Sequence, residues 1–348
     1  MAANVPSTLE QALDPAWLTE ALTPVTGGAR VTAVETVEVL RKTATKVRFT
    51  AAFEGARGGA EAFCLKAFLD ADADTARAAP SSVREADFYA RLAPKLSVRL
   101  PACVSTFVDR EAALGVVIMR DLIAEGAYFC TALEAFDANQ AADSLEQLAR
   151  LHLSHTTPAE FAALPWVQRQ LASLAVSEYV SAEMLQAMMD GPRGEGLPAR
   201  TRDTALLRRG LQALSAQDAE RPHVLIHGDC HAGNIFRTSE GAGLIDWQLL
   251  QRGSWALDVA YHIAAVLSVE TAEREERALV GHYLDTVRRL GGATPDAEEA
   301  WTQYRMSAVY GFYLWAITRR VEPPIINVFV NRLGCSVTRH DSYRLLGL

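Results

Sequence analysis

The fold of this chain is decided by the run His227-Gly228-Asp229-Cys230-His231-Ala232-Gly233-Asn234 and by the nearby run Leu244-Ile245-Asp246-Trp247. The runs place an asparagine five residues after one aspartate and a second aspartate twelve residues after that asparagine. Apolar segments precede both aspartates, so the polar side chains stand where buried strands are expected to end. An ordinary polar turn between two core strands would leave that placement unexplained.

The residues around these runs predict a strand, a loop and an antiparallel pair. Val224-Leu225-Ile226 is typical of a short buried strand. The stretch 227–233 has a glycine near each end and predicts a tight loop. A strand is expected over 234–237, and a second strand over 243–246 returns antiparallel to it. We expect this pairing to bring the asparagine and the second aspartate close together, at the mouth of the loop.

The residue types at these positions suit phosphoryl transfer. That chemistry uses a carboxylate that orients the acceptor hydroxyl, and an amide and a second carboxylate that hold Mg²⁺ on the phosphates. Asp229, Asn234 and Asp246 could fill these roles in chain order. Their oxygen ligands fit Mg²⁺ better than zinc.

This part of the chain resembles the aminoglycoside phosphotransferase and choline kinase superfamily, which has a protein-kinase-like fold. The resemblance implies that Asp229 is the catalytic base and that Asn234 and Asp246 are metal ligands. It also implies that His227 holds the catalytic segment in place. ATP, Mg²⁺ and a small molecule with a hydroxyl group are the expected cofactors and partner.

The resemblance implies an α+β bilobal fold. The N-terminal lobe, residues 1–119, would contain a small antiparallel sheet with one helix, and residues 120–348 would form a larger, mostly helical lobe. Pro15-Ala16-Trp17-Leu18 and Ile245-Asp246-Trp247-Gln248 are similar to the ecdysteroid-kinase-like branch.

A lysine inside an apolar strand predicts the other half of the site. Lys66 stands within an apolar run, where a charged side chain is costly without a partner. The resemblance to the kinase superfamily implies that the partners of Lys66 are ATP phosphates and the carboxylate of Glu85, on a helix predicted over 81–95. Asp87 is the alternative partner. Taken singly, a solvent-facing lysine and a solvated glutamate would explain both residues equally well.

The nucleotide-binding segments have weaker signals. By the same resemblance, Met119, Asp121 and Leu122 are expected to edge the adenine pocket. The segment 40–49, which corresponds to the glycine-rich loop of protein kinases, contains no glycine. Its hydroxyl groups and lysines are candidate phosphate contacts, with no choice made among them: Thr43, Thr45, Lys42 and Lys46.

Several alternatives remain open. His227, Asp229 and His231 also fit a metallohydrolase cluster, although Ile235 follows the asparagine where such a site would place a histidine. A catalytically silent protein that binds a nucleotide is a second alternative. An antibiotic kinase for aminoglycosides is a third, and the shortage of acidic residues near the C-terminus argues mildly against it. The aromatic stretch 301–315 has the spacing of a helix core, although one or two of its rings could line an acceptor pocket.

Composition narrows the class of protein. The chain has 348 residues, 49% of them hydrophobic, a net charge of −8 and a pI near 5.6. This balance disfavours nucleic acid as a partner. No apolar run approaches the roughly 20 residues that span a bilayer. The N-terminus lacks a signal pattern, and the five cysteines form neither a disulfide framework nor a zinc motif. We therefore expect a cytoplasmic protein.

Overall fold

The computed structural model describes residues 5–55, 59–72 and 78–348, which divide into two compact units. The first unit comprises Met1–Leu96, Leu100–Tyr128 and Ile245–Gln248. The second comprises Ser97–Arg99, Phe129–Leu244 and Leu249–Leu348. The segment that carries Asp246 thus groups with the N-terminal part of the chain. The domain limits drawn from the sequence stay a prediction.

The first unit is built on an antiparallel sheet of five strands within the described residues, in the order β1-β2-β3-β5-β4. The strands are β1 (Val31–Arg41), β2 (Thr45–Phe53), β3 (Glu61–Ala67), β4 (Cys103–Asp109) and β5 (Leu114–Arg120). The predicted strands over 31–69 and 103–119 are therefore present.

The two faces of this sheet differ in polarity because alternate side chains point to opposite sides. Val47, Phe49 and Leu65 lie on the face that forms the apolar core. Short helices supply the other side of that core: α1 (Leu9–Ala12) and α2 (Pro15–Ala21). A third short helix, α3 (Thr23–Thr26), follows them and has no buried residue. Asp14 caps α2, because its side chain accepts the amide of Trp17. The neighbouring residues Lys46 and Lys66 therefore point to the other face.

One helix of the first unit, α4 (Pro80–Arg91), packs against β4 and β5 and is followed by a 3₁₀ turn at Ala93–Lys95. The approach of α4 to β5 depends on a glycine. The amide of Gly115 donates to Ser82 Oγ at 2.8 Å, and a Cβ at position 115 would lie 2.3 Å from the carbonyl oxygen of Ser82.

The second unit is mostly helical. Its helices are α5 (Ala138–His152), α6 (Pro158–Ala162), α7 (Gln170–Ala175), α8 (Ala182–Asp190), α9 (Ala199–Arg202), α10 (Thr204–Ala219), α11 (Trp255–Val266), α12 (Val269–Arg289), α13 (Ala297–Ile317), α14 (Pro323–His340) and α15 (Ser342–Leu345). Helix α11 is buried at every position from Ala256 to Val266 and packs against α5, α12, α13 and α14. It is the centre of this unit.

Short strands carry the motif of the second unit. They are β7 (Val224–Ile226), β8 (Ile235–Thr238), β9 (Gly241–Leu244) and β10 (Gln251–Gly253), and a further two-residue strand, β6, covers Tyr128–Phe129. Strands β8 and β9 pair antiparallel, as do β7 and β10. Two predicted strand limits were wrong. Asn234 ends a 3₁₀ turn before β8, and β9 ends at Leu244, before the aspartate.

The predicted α+β class, with an antiparallel N-terminal sheet, one packed helix and a helical C-terminal part, is confirmed. Within residues 5–55, 59–72 and 78–348, no helix has the length and apolar character needed to cross a membrane.

Replacing Gly115 with alanine should destabilise the first unit. The new methyl group would collide with the backbone of Ser82, which cannot move away without shifting α4. We expect a loss of about 3 kcal/mol in the free energy of unfolding, measured by urea denaturation. The control is Gly281→Ala in α12, where a Cβ has nothing within 4 Å. There we expect a gain of up to about 1 kcal/mol, and equal effects of both substitutions would contradict this account of the contact.

Candidate active site

In the first unit, two carboxylates surround the buried ammonium of Lys66. Lys66 Nζ lies 2.7 Å from Glu85 Oε2 and 2.8 Å from Asp246 Oδ1. The lysine comes from β3, the glutamate from α4 and the aspartate from the segment 245–248. The structure therefore brings together the lysine, its expected helix partner and one expected metal ligand.

The two carboxylates favour the charged form of Lys66. Burial lowers the pKa of Lys66, but the carboxylates of Asp246 and Glu85 outweigh that effect, so its pKa is raised. Burial raises the pKa of Glu85, Lys66 opposes the shift and Asp246 adds to it. One ammonium is thus shared between two carboxylates. Lys46 Nζ supplies a second positive charge, 3.7 Å from Asp246 Oδ2.

Asp246 has a backbone conformation that few non-glycine residues adopt, with φ at +69°. The next residue holds the segment in place. The amide of Trp247 donates to Glu85 Oε1 at 3.2 Å, and the indole stacks on Phe88 with ring centroids 3.8 Å apart. Helix α4 therefore positions both the partner of the lysine and the segment that carries Asp246.

Asp87, the alternative partner for Lys66, forms an ion pair with a different residue. Its two carboxylate oxygens accept from the Arg110 guanidinium at 2.8 and 3.0 Å. The geometry therefore favours Glu85 over Asp87 as the partner of Lys66.

The three residues expected to edge the adenine pocket are all buried: Met119, Asp121 and Leu122. The Asp121 carboxylate accepts Arg48 Nε, at 3.0 Å for the shorter contact, and the amide of Ile123 at 3.1 Å. This side chain stabilises the chain after β5. Any contact of Asp121 with a nucleotide would therefore come from its backbone.

In the second unit, one buried carboxylate holds the loop that carries Asp229. Asp258, in the first turn of α11, accepts the amide of His227 at 2.7 Å and the amide of Gly228 at 2.8 Å. Gly228 has φ at +81°, and a Cβ there would lie 2.3 Å from the carbonyl oxygen of Leu249. Only glycine fits that position without strain.

The environment of Asp258 keeps it ionised. Its Oδ2 lies 3.1 Å from Nε2 of His152, whose Nδ1 contacts the hydroxyl of Tyr283 at 2.7 Å. Burial raises the pKa of Asp258, but the bond from His152, the charges of His152 and His227 and the Gly228 amide outweigh it, so its pKa lies below the usual range.

The Asp229 side chain is held by hydrogen bonds at both oxygens. Tyr261 donates its hydroxyl to Oδ1 at 2.9 Å, and Asn234 donates from Nδ2 to Oδ2 at 3.2 Å and to the Asp229 carbonyl at 2.8 Å. The Tyr261 hydroxyl in turn accepts Nε1 of Trp315 at 2.6 Å. The Asp229 side chain is 26% exposed, so its carboxylate is both oriented and accessible.

Each histidine of the loop accepts a backbone amide of the loop through Nδ1, and Nε2 of His231 lies 3.7 Å from Asp229 Oδ2. His227 Nδ1 accepts the amide of Asp229 at 3.2 Å, and His231 Nδ1 accepts the amide of Gly233 at 3.0 Å. These two nitrogens are therefore engaged by the loop, which weighs against the metallohydrolase interpretation. Cys230 is fully buried, and burial raises the pKa of its thiol well above the usual value, so it is not suited to act as a nucleophile.

Sequence reasoning missed the contact of Tyr261 and Trp315 with this site. One signal was available for Tyr261. It stands three residues after Asp258 and thus on the same side of α11. Trp315 belongs to the aromatic stretch, and most rings there are buried core residues. Only the tertiary structure distinguishes Trp315 from the other aromatic residues of that stretch as a contact of the site.

The chain matches the model of one known protein family. The model of the phosphotransferase enzyme family covers residues 39–299, which is more than half of the chain. The matched region includes Lys66, Glu85, the loop with Asp229, and Asp246.

Among curated proteins, thiamine kinases from Salmonella are similar over a limited stretch. The thiamine kinase of Salmonella paratyphi B is 35% identical over 111 residues, which are 31% of this chain and 35% of that protein. The match thus spans about a third of the length of these relatives.

Solved structures share the fold at low sequence identity. An ethanolamine kinase from Plasmodium vivax has a TM-score of 0.55 and 12% identity, with 98% of this chain and 91% of that chain covered. A choline kinase from Cryptosporidium parvum has a TM-score of 0.53 and 10% identity, with 95% of each chain covered. These likenesses support the kinase-like fold. The ecdysteroid-kinase-like branch stays a prediction.

Substituting Asp258 with asparagine should destabilise the second unit. The amide offers one acceptor oxygen in place of two and turns N–H groups towards the donors of His227, Gly228 and His152. We expect a loss of about 3 kcal/mol at pH 7, measured by urea denaturation. The exposed pair of Asp285 with Arg288 provides the control, because Asp285→Asn should change stability by less than about 0.5 kcal/mol.

The effect of Asp258→Asn should also depend on pH. A carboxyl group whose pKa is lowered on folding stabilises the protein above the pKa it has when unfolded, about 3.9. That contribution is lost as the pH falls through the lower folded pKa. The stability difference between wild type and Asp258→Asn should therefore be largest near neutral pH and shrink below about pH 4. A constant difference across this range would show that the negative charge is unimportant.

Proposed function

This chain belongs to the phosphotransferase enzyme family, and from that premise we propose that it transfers the γ-phosphoryl group of ATP to a hydroxyl of a small molecule. The observation that carries the proposal is the Asp229 carboxylate, which is exposed enough to meet a substrate and is fixed by Tyr261 and Asn234. A carboxylate in this state suits a hydroxyl acceptor, because such transfer depends mainly on positioning and electrostatics.

Asp229 is the proposed catalytic base. It would accept a hydrogen bond from the acceptor hydroxyl, direct the oxygen towards the γ-phosphorus and take the proton as the new O–P bond forms. The bond from that phosphorus to the β–γ bridging oxygen breaks at the same step, and ADP leaves. His227 is proposed to support this role through the loop, because its ring accepts the amide of Asp229. Asp258 holds the same loop by accepting the amides of His227 and Gly228.

Lys66 is the proposed contact for the ATP phosphates, with Glu85 as its fixed partner. The 2.7 Å ion pair keeps the ammonium charged and oriented inside a buried position. Met119, Asp121 and Leu122 are proposed to edge the adenine, chiefly through backbone groups. The buried Arg48 contact of the Asp121 carboxylate supports a backbone role.

Asp246 and Asn234 are each proposed as ligands of Mg²⁺. The donor chemistry fits, since both offer hard oxygen atoms of the kind that Mg²⁺ prefers. The Asn234 amide donates from its nitrogen to Asp229, which turns its oxygen away from that carboxylate. Mg²⁺, when bound, neutralises charge on the transferred phosphoryl group.

The acceptor is proposed to be a small alcohol. Thiamine, choline and ethanolamine carry a primary hydroxyl group, and kinases with these names are among the similar proteins. They are therefore the first compounds to test, alongside sugars, steroids, terpenoids and aminoglycosides.

The decisive test is a product screen with an inactive variant. Wild-type protein, Mg-ATP and the pooled alcohols are analysed by mass spectrometry for phosphorylated products. Asp229→Asn should lower turnover by about 100-fold or more, and Asp285→Asn, on the surface of α12, should retain the wild-type rate. If Asp229→Asn kept full turnover, the assignment of the base would be wrong. If wild type bound ATP but gave no product and no hydrolysis, a silent nucleotide-binding protein would be favoured.

Tyr261→Phe should lower kcat without changing the KM for ATP. The substitution removes only the hydroxyl that orients Asp229, so we propose Tyr261 as a positioning residue and expect a loss of about 10-fold in kcat. Tyr304→Phe is the matched control. It removes a buried hydroxyl that donates to Glu276 at 3.1 Å, away from Asp229. Both variants should lose similar thermal stability, and an equal loss of kcat in both would mean that Tyr261 acts only through the fold.

A further inference from the structure

The turn between β1 and β2 lacks the glycines with which a phosphate-binding loop exposes its amides. The stretch Lys42-Thr43-Ala44 joins the strands, and Lys46 is the second residue of β2. In a glycine-rich loop the backbone N–H groups approach the phosphates closely because no side chains intervene. A chain that binds phosphates at such a turn without these amides needs another source of positive charge there.

Lys46 lies beside Lys66 in the sheet. The antiparallel register pairs the two lysines directly across β2 and β3. Their side chains share one face of the sheet, while the adjacent residues Val47 and Leu65 point into the apolar core. Like charges directly opposite each other destabilise a sheet. The carboxylates of Glu85 and Asp246 offset this repulsion on that face.

The two lysines differ in how firmly they are held. The Lys66 side chain is 5% exposed and contacts both Glu85 and Asp246 within 3 Å. Lys46 is 35% exposed, and its Nζ lies 3.7 Å from Asp246 Oδ2. A lysine on a flexible stem at that distance can turn towards a different anion at little cost.

We propose that Lys46 is a second phosphate-binding lysine, which replaces the glycine-rich loop by contacting the terminal phosphates of the nucleotide. The inference rests on the proposed function, because it deepens the nucleotide site described there. If the Asp246 carboxylate binds a metal ion, Lys46 loses its ion-pair partner. A negatively charged phosphate oxygen can then take the place of that carboxylate beside the Lys46 ammonium. Arg48, the next residue on this face, is engaged by Asp121 and Glu38.

The test compares nucleotides that differ only in their phosphates. Binding of Mg-ATP, Mg-ADP and adenosine to the full chain is measured by isothermal titration calorimetry for wild type and three variants. Lys46→Met should weaken Mg-ATP about 10-fold, as expected for the loss of one charge-assisted contact that is partly exposed. Adenosine affinity should not change. Lys46→Arg should retain most of the Mg-ATP affinity.

Lys95→Met is the control for loss of one positive charge from the first unit. Lys95 ends the 3₁₀ turn after α4 and is exposed, and its variant should bind all three ligands like wild type. Melting temperatures are recorded to verify that each variant is folded.

Each outcome has a distinct meaning. If wild type binds no Mg-ATP, the proposed function fails, and the inference fails with it. If wild type binds Mg-ATP and Lys46→Met binds it equally well, the inference is overturned while the kinase proposal stands. If Lys46→Met weakens adenosine as strongly as Mg-ATP, the lysine acts through the fold, which also overturns the inference.

Discussion

The buried carboxylate of Asp258 is the constraint on which the loop of the second unit depends. It accepts two consecutive backbone amides, those of His227 and Gly228, from a position in the first turn of α11. Consecutive amides can point at one carboxylate only if the chain turns sharply, and the positive φ of Gly228 provides that turn.

A second set of buried polar groups holds the loop from α5 and α11. His262 contacts the carbonyl of Cys230 at 2.7 Å through Nδ1 and Ser144 Oγ at 2.7 Å through Nε2. Burial lowers the pKa of His262 to about 4, so its ring is neutral and donates from one nitrogen while it accepts at the other. Buried polar groups are tolerated when each has a partner. Here they also restrict the loop to one arrangement.

In the first unit, the main constraint is that the buried side chain of Lys66 must stay charged. Burial alone would favour the neutral amine, so Lys66 needs anions, and α4 and the segment 245–248 supply one carboxylate each. Two carboxylates around one ammonium leave negative charge in excess. Lys46 balances it. The result is a neutral group of four charges on the polar face of a sheet whose other face is apolar core.

The sequence was informative where a residue and its partner follow local rules. Alternating apolar residues predicted the strands, and the spacing of the motif selected Asp229, Asn234 and Asp246 as candidates. A charge inside an apolar strand predicted that Lys66 needs a partner, and the resemblance to the kinase superfamily pointed to Glu85 as that partner. The partners of Asp229 were not predictable in this way. Tyr261 and Trp315 stand in apolar helices, where an aromatic ring is most often core, and both rings are indeed buried. Their polar atoms acquire a role only because α11 and α13 pack side by side, so that an indole N–H meets a hydroxyl and that hydroxyl meets a carboxylate. Such a chain of donors depends on helix packing over tens of residues, and sequence spacing alone contains no signal for it.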